Sequence, residues 1–431
     1  MRKVTLIGGG SAKFVREMVI DILSYPELEE THFCLMDINQ ERVERTARLV
    51  SKIIADRKVP ASVEWTLNQR QALDGAHYVI ITIMVGGYDH YRTDVEIPAR
   101  YGVCQSISDT VGPGAVFREV RTSPVLQELA RNLRDVAPQA WVLNYANPMA
   151  MNTWTLNEMG HARTVGLCHS IQGTAEYSFA NWLGIPGKEI DYTAGGINHV
   201  NFYLTLRHKG RDLYPDLLAA APRVIEKSPR ERVRFELLEA LGHFPAEGAD
   251  HQSEYSAWFR KTQELIDYYA VPTYTGYKND SHCFEVRVRE AEDILAGKVA
   301  IRYQRSNEYG AGIIHSLETG TRGLIYGNVP NRGLIENLPS QAMVEVPCVV
   351  DRNGIQPCRV GRIPPQLAAV MMPHISVQEL AVLGALRKDR NLIRQAVQAD
   401  PLTGAILTLP RLRAMVDELF AENRDYTSDW P

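Results

Sequence analysis

The chain reads as an α/β protein: a doubly wound parallel sheet over residues 1–190, followed by an α+β region over 191–431. Three observations predict this. Short runs rich in Val, Ile and Leu alternate with longer amphipathic stretches as far as residue 167. A glycine-rich turn, Gly8-Gly9-Gly10, follows the first of those runs. The alternation then stops near residue 190.

The elements follow in order. Residues 4–7 are apolar and run into the glycine turn, as a first strand does, and 12–23 carry helical periodicity. Residues 33–36 give a second strand with Asp37 at its carboxyl end, and 40–55 put charges on the outer face of a helix. Residues 78–84 form a near-continuous run with Val, Ile and Thr, which suits a strand buried on both faces. A helix is expected over 118–136, a strand over 140–144 ending at Asn147-Pro148, and a last parallel strand over 164–167 just before Cys168. Beyond 190, strands are expected over 197–207 and 342–350, and helices over 222–241, 306–319 and 365–383. Residues 244–259 are irregular and rich in His, Glu and aromatics. No repeat or flexible linker separates the two regions, so they share an interface.

Composition excludes several functions. A chain of 431 residues with 45% hydrophobic content has ample material for a core. A net charge of −4 gives no electrostatic case for nucleic acid or an anionic membrane. The longest apolar run, near 78–85, is far too short to span a bilayer. The N-terminal MRKVTLIGGG lacks the apolar core and cleavage site of a signal peptide and is read as the first strand. Cys34, Cys104, Cys168, Cys283, Cys348 and Cys358 are scattered, as reduced thiols are, and a cytoplasmic location is expected.

Five segments carry chemistry. Gly8 and Gly10, followed by Ser11, fit the opening of the dinucleotide fingerprint between a strand and a helix, although Lys13 stands where a third small residue is usual. Asp37 is placed to accept from an adenosine ribose and would repel a 2′-phosphate, which favours NAD over NADP in a Rossmann-like sheet. The plainer reading is a glycine turn with a capping Asp. Cys168 and His199 each follow a strand-like run and offer thiolate and imidazole, a borderline transition-metal pair with open positions. Taken singly, each residue type is more often structural than ligating. Residues 109–115, a polar glycine loop opened by Asp109, and Asn147-Pro148-Met149 could bind hydroxyls or could be turn chemistry alone. In 249–259, His251, Glu254 and Tyr255 are candidate acids or bases, and Trp258 could line a sugar; an aromatic patch on the core is the alternative.

Together these segments resemble glycoside hydrolase family 4, the NAD- and manganese-dependent glycosidases. The resemblance rests on the GGGS turn, Asn147-Pro148-Met149, the CHS block at Cys168, GINH ending at His199, SEYSAWF, IYGNVPNRGLIENLP over 325–339 and VDRNGIQP over 350–357. It implies a lactate/malate dehydrogenase-like fold, NAD, a divalent metal on Cys168 and His199, and a homodimer or homotetramer. Among family members the CHS block and GINH are most similar to α-galactosidases and α-galacturonidases, since His169 stands where the 6-phosphoglycosidases carry a different residue. The implied reaction is retaining: transient oxidation at C3 by NAD, loss of the C2 proton to Tyr255, elimination of the aglycone, water addition and re-reduction. His169 assists the leaving group or binds a hydroxyl, and Asp109, Asn147 and Asn198 contact the substrate. Arg118, Arg287 and Arg322 are possible partners for a galacturonide carboxylate. An NAD-dependent 2-hydroxy acid dehydrogenase is the alternative from another class; it leaves Cys168 and His199 unexplained.

Overall fold

The computed structural model describes all 431 residues. Six strands come first: β1 (Arg2–Ile7), β2 (Thr31–Met36), β3 (Ser62–Thr66), β4 (Tyr78–Ile81), β5 (Trp141–Asn144) and β6 (Thr164–Leu167). They lie in the order β3-β2-β1-β4-β5-β6, all parallel, which is the doubly wound order. The central strands need apolar side chains on both faces, and β4 is buried at every position.

The second half extends the same sheet rather than starting another. Its strands are β7 (Ile190–Ile197), β8 (Val200–His208), β9 (Arg211–Asp212), β10 (Gly323–Pro330), β11 (Met343–Asp351) and β12 (Gly354–Pro357). All their pairings are antiparallel, and the order continues from β6 as β10-β11-β7-β8-β9, with β12 beside β11. The two strands β10 and β11 therefore lie between β6 and the β7–β8 hairpin. The seam is narrow. Asn328 of β10 stands opposite Gly166 of β6, Glu345 of β11 stands opposite Gly196 of β7, and Asn328 faces Glu345. Neither glycine admits a side chain: a Cβ on Gly166 would collide with Met149, and one on Gly196 with the Val200 carbonyl.

Several sequence expectations are corrected. The apolar run from Tyr78 stops being a strand at Ile81, and Gly87–Arg100 is a helix. The glycines of the expected 109–115 loop begin the long helix Gly112–Val136, because a proline in a first helical turn gives up no hydrogen bond, and no strand precedes it. The expected helix over 222–241 is two helices, Tyr214–Lys227 and Arg232–Leu241, parted at Ser228-Pro229. The irregular 244–259 stretch contains a short helix, Ala249–Glu254. Helix Pro365–Arg387 is long and apolar enough to cross a membrane by length and composition; here its Leu367, Met371, Ile375 and Ala381 are buried in the core.

Glu119, fully buried in helix Gly112–Val136, takes one hydrogen bond from Thr155. Burial pushes its carboxyl up to about 8 from an ordinary 4.5. The folded chain therefore holds a proton that the unfolded chain has lost, and stability contributed at this position falls as pH rises from about 4.5 to about 8. Glu119→Gln is expected to unfold at a higher denaturant concentration than the wild type at pH 8.5 and at a similar one at pH 4.5, by chemical denaturation. An equal difference at both pH values would refute the assignment.

Candidate active site

One cavity of about 820 Å³ opens along the carboxyl ends of the parallel strands. It begins at the β1/β4 switch point, lined by Ser11, Phe14, Thr82, Ile83 and Met84, and ends beyond β6 at Cys168 and His169.

At the switch point the glycine turn is tightly held. Gly8 and Gly9 donate to the Met36 carbonyl (3.0 and 2.8 Å), and Gly10 donates to Asp37 Oδ2 (2.9 Å). Gly8 has φ +92°, and a Cβ on Gly10 would sit 2.7 Å from the Asp37 carboxylate. Asp37 Oδ1 accepts from Asn39 N–H (2.9 Å), and Asn39 caps the next helix, Gln40–Arg57. Asp37 thus first ties the turn to that helix, and Gly8, Gly10 and Asp37 lie outside the cavity lining that Ser11 joins.

At the far end, Cys168 leaves the end of β6 and His199 occupies the β7–β8 turn with φ +64°. The seam between them brings Cys168 Sγ to 3.7 Å from His199 Nε2. Glu247, from the stretch after helix Arg232–Leu241, completes a triad. Its Oε2 lies 3.3 Å from His199 Nε2 and 3.9 Å from Cys168 Sγ. These separations are what donors about 2.0–2.3 Å from one shared ion present to each other, and a mixed sulfur, nitrogen and oxygen set suits a divalent transition cation. Burial lowers His199 to about 4, so the imidazole is neutral and its Nε2 lone pair is free. Burial also raises Glu247, but His199, His251 and the Gly248 N–H outweigh it and bring it down to about 2. Burial pushes the Cys168 thiol well up; a cation is the partner that would deprotonate it.

Between the two ends, Asp109 Oδ2 accepts from Asn147 Nδ2 (2.6 Å), with Arg118 Nη1 4.0 Å away. The Arg118 guanidinium stacks 4.2 Å over the Tyr91 ring. Asp109 Oδ1, Arg118 Nε and Nη2, and His251 Nδ1 have no protein partner although buried, and all three residues line the cavity. Such orphaned donors and acceptors suit a polyhydroxylated ligand. His169 is held by Glu308 (3.2 Å), and that bond raises its pKa.

Four more expected residues stand off the cavity. Tyr255 is buried behind His199, its hydroxyl donating to Thr110 Oγ1 (2.9 Å), and burial raises it well above the ordinary phenol. Asn198 is turned away and donates to Glu345 Oε2 (3.2 Å). Glu254 points into the 105–108 loop, and Trp258 is exposed outside the lining. Of the three arginines, Arg118 and Arg287 line the cavity, whereas Arg322 lines a separate one of about 720 Å³. Glu247 and Glu308 are site residues that sequence reasoning missed, and Thr110 was read only as part of the 109–115 loop; nearness in space to His199 or His169 singles them out.

A nucleotide-type sheet with a metal-type cluster at its carboxyl edge defines a cofactor-fold enzyme. The family 4 glycosyl hydrolase model matches residues 3–183, and the family's C-terminal domain model matches 194–403. The chain belongs to family 4 of the glycosyl hydrolases, which removes the dehydrogenase alternative. It is 37% identical to an α-galactosidase of Bacillus subtilis over the whole of both chains. It is also 30% identical to an α-galacturonidase of Lachnoclostridium phytofermentans, over 98% of this chain and 96% of the relative. In structure it superposes on a 6-phospho-α-glucosidase from gut microorganisms in complex with NAD and Mn2+ (TM-score 0.83, 20% identity, 100% and 99% covered). The dehydrogenase-like fold is shared with Plasmodium falciparum malate dehydrogenase (TM-score 0.54, 14% identity, 91% and 100% covered).

Glu247→Ala is expected to raise the Kd for Mn2+ more than about 10-fold, measured by electron paramagnetic resonance of the free ion. Unchanged affinity would remove Glu247 from the cluster.

Proposed function

We propose that this chain is a retaining α-glycosidase working with NAD and a divalent cation such as Mn2+, and that its substrates are terminal α-galactosides. The observation that carries the reading is that Ser11, which follows the glycine turn, and the Cys168–His199–Glu247 cluster line one cavity. Helix Ala12–Leu23 has no side-chain cap, which leaves its first-turn N–H groups for a pyrophosphate. The bare glycines and Asp37 fit the rest of a dinucleotide. When bound, NAD supplies reversible oxidation at the sugar and the cation supplies Lewis acidity toward its oxygens.

The chain's own residues do the rest. Cys168, His199 and Glu247 hold the cation. Asp109, Asn147, Arg118 and His251 bind hydroxyls and orient the ring. Tyr255 takes the C2 proton, a role that requires its hydroxyl to turn from Thr110 into the cavity. A cation bound beside His199 would favour the Tyr255 phenolate and act against the effect of burial. His169, whose Nδ1 is paired with Glu308 so that the protonated ring is favoured, gives its Nε2 proton to the departing glycosidic oxygen.

The preference for a neutral sugar is supported by the relatives: identity is 37% to the α-galactosidase against 30% to the α-galacturonidase. Arg287 on the same wall is the observation that favours the second reading, α-galacturonide hydrolysis.

With NAD and Mn2+ present, nitrophenyl α-galactoside is expected to turn over at least about 10-fold faster than nitrophenyl α-galacturonide. The opposite order selects the second reading. Full activity after removal of both NAD and metal would overturn the mechanism. In D2O the released sugar is expected to carry deuterium at C2, by mass spectrometry and NMR; its absence argues against elimination.

A further inference from the structure

We propose that Glu254 is a positioning residue for the metal site: its carboxylate fixes the loop that carries Thr110, and Thr110 fixes His199. Glu254 ends the helix Ala249–Glu254 and is 1% exposed. Its Oε1 accepts from the N–H of Ser106 (2.6 Å) and Ile107 (2.7 Å), and its Oε2 from the N–H of Ser108 (3.0 Å) and Gln105 Nε2 (3.2 Å). Four hydrogen bonds, three of them from consecutive backbone amides, make a strong and directional anchor. A buried cation holds the other side of the loop. Arg260, 1% exposed, donates to the carbonyls of Cys104 (3.3 Å) and Pro272 (2.9 Å) and to Ser253 Oγ (2.6 Å). The loop's amides thus face an anion and its Cys104 carbonyl faces a cation, and each buried charge offsets the other across it.

The loop ends at the metal site. Ser108 has φ +57°, an unfavourable conformation for a serine, and its N–H bond to Glu254 helps to hold it. Thr110, two residues on, places Oγ1 3.0 Å from His199 Nδ1 and 2.9 Å from the Tyr255 hydroxyl. With Nε2 turned to Cys168 and Glu247, Nδ1 carries the hydrogen and donates to Thr110. One threonine oxygen therefore sets the tautomer and tilt of a ligand and also receives Tyr255. Glu254 touches none of the cluster and acts through the loop.

The inference rests on the metal assignment above but concerns a different residue, and Mn2+ binding, read by electron paramagnetic resonance on the full chain, tests the two separately. Glu254→Gln keeps the size of the side chain but, whichever way the amide turns, sets an N–H against a backbone donor. It is expected to retain its circular dichroism spectrum and to raise the Kd for Mn2+ about 10-fold, in the range for groups that orient a ligand. Thr110→Val is expected to do the same. In the double variant Glu254→Gln should add less than about twofold to Thr110→Val, because nothing remains for it to act through. Unchanged affinity in Glu254→Gln, or losses that multiply to about 100-fold in the double variant, overturns the proposal. If Glu254→Gln does not fold, Gln105→Ala removes one of the four bonds, together with the bonds of Gln105 to the Val111 carbonyl and the Ser108 hydroxyl, and is expected to weaken Mn2+ binding; no change there overturns the proposal equally. Cys168→Ser is the control. Mn2+ affinity retained in that variant sinks the metal assignment, whereas affinity lost there and kept in Glu254→Gln sinks the positioning role alone.

Discussion

The short antiparallel seam at Gly166, Asn328, Glu345 and Gly196 is the constraint on which the site depends. Cys168 lies just past β6 and His199 just past β7, and those two strands never touch. Their separation is set by the two strands inserted between them, β10 and β11. A slip of one residue in either pairing would turn every side chain of a strand to the opposite face. It would also move one ligand relative to the other by about 3.3 Å, more than a coordination bond can absorb. Gly166 and Gly196 let helices and neighbouring backbone close on the seam from its faces, and so hold the register from outside the sheet.

Around that frame the protein places charge unevenly. Along the cavity, unpaired polar atoms of Asp109, Arg118 and His251 are left for a ligand. Immediately behind it, three hydrogen bonds brace His199 and Tyr255: Thr110 takes Nδ1, Gln252 donates to the His199 carbonyl, and His374 bonds the Tyr255 carbonyl. The contrast separates recognition from support. Groups that meet substrate are left unsatisfied at some cost, while groups that meet the ligands are satisfied and rigid.

What was legible in the sequence follows physical lines. Most of the parallel half was readable because five of its strands are largely buried and write themselves as apolar runs, and because Gly8–Gly10 can be little else than a tight turn; the edge strand β3, SVEWT, is half exposed and was not expected. Cys168 and His199 were readable as chemical types at strand ends. Glu247 was not: it lies in an aperiodic stretch, and nothing in its neighbours marks a carboxylate bound for a strand end far away in sequence. Asn198 was misjudged in orientation, since a residue next to a ligand in a turn points to the other side, here toward Glu345. Gly112-Pro113-Gly114 reads as a loop on composition, and only the packing of the following helix shows that the same residues begin it. The continuity of the sheet was invisible because strand order is a long-range property.

The out-of-order insertion of β10 and β11 also governs how the protein comes into being. Cys168 and His199 are synthesised early, but the strands that set their spacing end only at Asp351. A chain still on the ribosome can complete its six parallel strands, yet it cannot present a finished metal cluster until most of its length has emerged. Metal capture is thereby deferred to nearly complete chains, and a truncated product would carry a nucleotide fold without the cluster that gives it purpose.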